Sequence, residues 1–144
     1  MNNSIHTYTA LTRLFLVIAV FSLSFSCNKK TDDLTPTELL TRTNWVLYKY
    51  YERTGTGPWV EDPLPSYKID DLFIFRKNGT FEWNEGATKA SPSDPQIISS
   101  QNWQWSTNPK YLQLTNVLLE VEELTMNSLI LIEDDDTRWR LVAQ

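Results

Sequence analysis

The sequence predicts an all-β protein, an eight-stranded antiparallel up-and-down barrel entered through a short N-terminal helical turn. Three observations predict it. Residues 70–86 form two alternating runs about Asn78-Gly79, a strong short-range hairpin signal. Six further segments of strand length lie before and after them, separated by turn-forming residues. No segment carries a long helical period.

The elements follow in order. Thr35-Pro36-Thr37-Glu38 reads as a helix start: a Thr cap, Pro at the first helical position and Glu three residues after the cap. Leu39 and Leu40 give that turn something to bury. The expected strands are 44–52, 70–76, 80–86, 101–106, 110–115, 117–124, 128–133 and 137–143. Short strands joined by short turns suit a sandwich or an up-and-down barrel, and eight of them can close a barrel around interior side chains or one small ligand. Two connections are long, 53–69 and 87–100, and both are rich in Pro, Ser or Gly.

The hairpin fixes a register. A two-residue turn would set Phe75 opposite Glu82. A three-residue turn, with Gly79 in the left-handed conformation of a bulge, pairs Phe75 with Phe81 and Phe73 with Trp83. Only the second gives one clean apolar face, because side chains alternate with period two. The same alternation turns Trp45, Leu47 and Tyr51 inward on the first strand. Later strands contribute Trp103, Trp105, Leu112, Leu114, Leu119, Val121, Leu129, Leu131, Trp139 and Leu141. Lys49 is the misfit; a bulge in the first strand or a position near a wet rim would accommodate it.

Upstream of the barrel, residues 14–25 are apolar, the length of a signal-peptide core and too short to span a bilayer. Ser24-Phe25-Ser26-Cys27 resembles the lipobox of bacterial lipoproteins, although Leu23 lies four residues before the cysteine rather than three. That resemblance implies lipidation of Cys27; small residues at 24 and 26 also suit ordinary cleavage. The expected organisation is a signal peptide over 1–26, a polar tether over 27–34 and the barrel over 35–144. Acyl chains contribute ~0.8 kcal/mol per buried methylene, so more than one gives stable anchoring.

Composition excludes several classes. The formal charge is −5, about −6 once Arg13 leaves with the signal peptide, and an acidic chain lacks the footprint that nucleic-acid binding needs. A single cysteine rules out an internal disulfide. The one histidine, His6, lies in the signal segment, so Ser-His and Cys-His nucleophilic machinery and His/Cys zinc sites are unavailable to the processed domain. Among four scattered glycines there is no phosphate loop. Glu82 with Glu85, or Asp70 with Asp71, could supply an acid and a base in principle, but neighbours on one strand point to opposite faces. Residues 133–136 offer hard oxygens but lack the spacing and glycine of a calcium loop. No enzyme activity, cofactor or metal is expected.

The domain from Thr35 to Gln144 resembles the lipocalin-like family. A helical turn precedes the first strand, Thr43-Asn44-Trp45 opens it, a long first loop follows, and an arginine, Arg138 or Arg140, sits in the last strand. The family's Gly two residues before the tryptophan is Thr43 here. The resemblance implies that the arginine packs across Trp45 at the closed end, with Arg140 the better placed. It also implies a small apolar or amphipathic ligand at the rim of the long loops. Candidate contacts are Trp59 and Tyr67 in the first loop, as mouth or as plug, and Tyr51, Phe73, Trp83, Trp103 and Trp105 on the inward face. With so many aromatics inside, any pocket should be shallow and lie under the 53–69 loop. The alternative is a filled barrel serving as a non-catalytic protein- or glycan-interaction module.

In an up-and-down barrel, alternate connections share a rim. The tight turns at 78–79, 108–109 and 126–127 then lie with the helical turn and the anchor, and the long loops lie at the distal mouth. The expected protein is a monomer, lipid-anchored in a bacterial envelope at the outer membrane, on its periplasmic or surface face.

Overall fold

The computed structural model describes residues 34–144; the signal segment, Cys27 and the tether through residue 33 lie outside the described residues. Helix α1 (Pro36–Thr41) begins with a full capping box: Glu38 N–H donates to Thr35 Oγ1, and Thr35 N–H donates to Glu38 Oε2. Nine strands follow: β1 (Trp45–Glu52), β2 (Val60–Asp62), β3 (Leu72–Phe75), β4 (Thr80–Asn84), β5 (Ile97–Trp105), β6 (Tyr111–Leu114), β7 (Val117–Leu124), β8 (Ser128–Glu133) and β9 (Thr137–Ala143). All pairings are antiparallel, each strand from β3 onward pairs with its successor, and β9 returns to pair with β1. The result is a closed barrel of eight strands, β1 and β3–β9.

Strand β2 was not legible in sequence. It lies beside the second half of β1, pairing Tyr50 with Asp62 and Glu52 with Val60. Strand β3 occupies the same edge at the first half, pairing Trp45 with Phe73. The long first loop therefore folds back as wall rather than hanging free.

The hairpin register is as expected. Phe75 faces Phe81, Phe73 faces Trp83, and Gly79 sits at φ +84° with its N–H donated to Arg76 O. The strand ends differ: β3 and β4 are shorter than 70–76 and 80–86, and β5 begins four residues before the expected 101.

Strand β1 carries the bulge that Lys49 hinted at. Leu47 pairs with Leu141, but Lys49 pairs with Arg140 and Tyr50 with Trp139, leaving Tyr48 as the extra residue. Beyond it the faces exchange. Lys49 points out to Glu61 at 2.6 Å, Tyr50 turns in, and Tyr51, expected inside, lies outside under the Arg138 guanidinium. A second bulge in β7, with Glu122 as the extra residue, turns Leu124 toward Leu129.

The core runs from Leu40 on α1 through Trp45, Phe73, Phe75 and Phe81 to the leucines of β6–β9. Helix α1 closes the tight-turn end. Leu40 is fully buried, Trp45 Nε1–H donates to Leu40 O at 2.9 Å, and Trp105 Nε1–H donates to Thr37 Oγ1 at 3.0 Å. The expected arginine across Trp45 is not how this end is sealed. Arg140 sits between inward-facing Trp139 and Leu141, so it points outward, where its guanidinium covers the Tyr48 ring at 5.8 Å.

Candidate functional site

At the other end the aromatic interior does not reach the rim. A cavity of about 430 Å³ remains there, within the range of small-molecule sites. Leu47, Phe73, Trp83 and Trp139 form its floor and inner wall. Their rings interlock: Phe73 lies 5.2 Å from Trp83 and 5.4 Å from Trp139, the latter edge-on at 87°. These separations fit the favourable aromatic range, so the floor is a packed platform.

The bulge and the first loop build the remaining walls. Tyr50, turned inward by the extra residue, stands with Glu52 on one side and donates its hydroxyl to Glu52 Oε1 at 3.0 Å. Burial pushes the Tyr50 phenol above its ordinary value of 10.0. Beside Tyr50 in the β1–β2 ladder, Asp62 at the end of β2 leads into Pro63-Leu64-Pro65, and these residues with Lys68 form the cover. Two prolines hold that segment extended with few backbone donors, so Leu64 can pack on the core while the chain crosses the opening.

Behind the floor lies a group of carboxylates. Asp71 is 1% exposed; its Oδ2 accepts from Trp83 Nε1–H at 2.9 Å, while Oδ1 has no partner. Burial pushes the Asp71 carboxyl above its ordinary value, and nearby Asp70 and Glu85 add to the rise. Glu85 is also buried. Asp70 Oδ2 accepts from the Ala87 and Thr88 N–H groups, stitching β3 to the loop after β4. Glu82 points outward to Arg76 at 3.3 Å, so Glu82 and Glu85 do not converge. Among the described residues, no group of three His, Cys, Asp or Glu is arranged to hold a metal ion.

Of the seven expected ligand contacts, Phe73 and Trp83 line the cavity and five do not. Tyr51 faces outward because of the bulge. Trp59 is on the outer wall, stacked on the Arg53 guanidinium at 4.2 Å, neither mouth nor plug. Tyr67 lies in a single 3-10 turn (Ser66–Lys68) and is exposed. Trp103 and Trp105 belong to the closed end, where Trp103 meets Phe75 at 5.8 Å. Sequence reasoning missed Tyr50, Leu64 and Lys68 as lining residues. The awkward inward placement of Lys49 was the one signal that could have found Tyr50.

No family model matches the chain, and neither the curated proteins nor the solved structures yield a match to it.

Proposed function

We propose that this chain is a lipid-anchored envelope protein of non-catalytic type, whose barrel binds a small apolar or amphipathic molecule at its open rim. One observation carries the binding reading: the cavity of about 430 Å³ over an aromatic platform, beneath the Pro63-Leu64-Pro65 cover. An apolar floor with a few polar groups at the mouth is the usual form of a small-molecule site. The anchor reading rests on the apolar run before Cys27. In the proposed arrangement α1 and the tight turns face the membrane and the cavity opens away from it.

Native mass spectrometry of the chain from Leu34 onward, purified from its own host, tests the binding reading. That segment contains the whole closed sheet and every core residue. A co-purifying small molecule, or saturable binding of an environment-sensitive dye that Trp83→Ala abolishes, is expected. Absence of both overturns it. Partition of the processed protein into the aqueous phase of a detergent extraction overturns the anchor.

A second reading, an interaction module, is favoured by strand β5. Residues 97–102 pair with β4, whereas β6 pairs with β5 from Trp103 to Trp105 and Thr115 N–H reaches back only to Asn102 O. The free edge exposes Ile97 and Ile98 at 46% and 44%, and no charged residue guards it between Gln96 and Pro109. Unguarded edges accept a partner strand. A photo-crosslinker at Ser100 that captures one defined protein in the native envelope, and loses it with Ile98→Lys, would support this reading. Capture of nothing would remove it.

A further inference from the structure

The charges around the cavity specify more than apolarity. Its charged lining consists of Glu52, Asp62 and Lys68, two carboxylates against one ammonium. Lys68 already sits in the field of Asp71, which lies buried behind the Trp83 wall. Arg53, the next base along the rim, is turned away: its Nε–H donates to Asp135 O at 2.5 Å and its plane stacks on Trp59. The end of β8 and the turn after it add Glu133, Asp134, Asp135 and Asp136 to the same rim. The mouth thus carries an excess of negative charge over an aromatic floor, and both features favour a cation.

Resting on the ligand-binding reading above, we propose that the cavity selects cationic amphiphiles. The ligand is a protonated or quaternary amine on an apolar body, the body lying against Phe73, Trp83 and Trp139 and the amine between Glu52 and Asp62. Register supports the pairing of these two carboxylates. Tyr50 opposes Asp62 in the β1–β2 ladder, and Glu52 is two residues further along the same inward face of β1. Among the described residues, neither carboxylate forms an ion pair with a lysine or arginine.

Three probes of equal chain length decide the matter: octyltrimethylammonium, octanol and octanoate, titrated calorimetrically into the chain from Leu34 onward. The cation is expected to bind about tenfold or more tighter than either other probe, and added salt to weaken it. Glu52→Gln with Asp62→Asn is expected to bring the cation to the level of octanol without changing the circular dichroism melt. Glutamine keeps an acceptor for the Tyr50 hydroxyl, so the wall remains in place. Octanoate binding as well as the cation, through Lys68, overturns the proposal and leaves ligand binding standing, as does a double variant with unchanged affinity. Binding of none of the three overturns both.

Discussion

Trp83 donates its indole N–H to Asp71 Oδ2 at 2.9 Å, so one wall of the cavity is oriented by a carboxylate that is only 1% exposed. The second oxygen of that carboxylate has no partner. A buried carboxylate that is only half satisfied costs stability when charged. The same contact that positions the wall therefore makes the fold sensitive to pH.

The sign follows from burial. Asp71 and Glu133 are both raised above their ordinary values, 3.8 and 4.5, chiefly by desolvation, so the folded protein holds these protons longer than the unfolded chain. Their contribution is fully present below the ordinary values and is lost as pH rises through the folded-state values. Asp71→Asn is expected to flatten this fall and to raise stability at neutral pH, since the amide oxygen still accepts from Trp83. Urea denaturation across a pH series checks it. An asparagine variant less stable than the parent at neutral pH would show that the charged form is well paired.

Layering within the hairpin separates stability from binding. Phe81 is buried between Phe73 and Phe75 toward the closed end, whereas Trp83 is half-buried at the cavity. Phe81→Ala should cost ~3–5 kcal/mol by denaturant titration. Trp83→Ala should cost less and remove dye binding. If the two variants lose stability and binding in the same proportion, the layers are not distinct.

The bulge makes a prediction about neighbours. Tyr50→Ala should weaken binding in the cavity and Tyr51→Ala should not, because only Tyr50 faces in. Deleting Tyr48 removes the extra residue and closes a regular ladder in which Lys49 and Tyr51 still face out and Tyr50 still faces in, so the barrel and binding in the cavity are expected to survive the deletion. Equal dye titrations for the two alanine variants would contradict the observed faces.

Two glycines with positive φ differ in what surrounds them. At Gly86, φ +69°, an added Cβ would come within 2.2 Å of Asp70 O, whereas at Gly55, φ +56°, nothing lies within 4 Å. Gly55→Ala should cost only the backbone term, ~1–2 kcal/mol. Gly86→Ala adds a clash with main chain that cannot move without shifting Asp70 and Asp71. Thermal melts should rank Gly86→Ala well below Gly55→Ala; similar melts would mean the loop after β4 yields freely.

Much of the fold was legible because it follows from local chemistry. The period-two alternation, the Asn78-Gly79 turn and the Thr35–Glu38 capping box each act over a few residues, and all three appear in the structure as read. A clean apolar face could be made in one register only, so Phe73, Phe75, Phe81 and Trp83 were placed correctly from sequence. The site was less legible. A bulge inserts one residue, and one residue reverses every side chain beyond it, which is how Tyr50 and Tyr51 exchanged sides. That insertion shows only in the pairing of β1 with β9, strands about ninety residues apart. Likewise, nothing in Val60-Glu61-Asp62 marks a strand; it pairs because β1 extends past β3 and leaves an edge open. What the sequence determined is the barrel, its tight-turn end and its aromatic filling. Where the filling stops, which tyrosine faces the space and which carboxylates ring it were decided only when the strands closed, because register across distant strands is a property of the whole sheet.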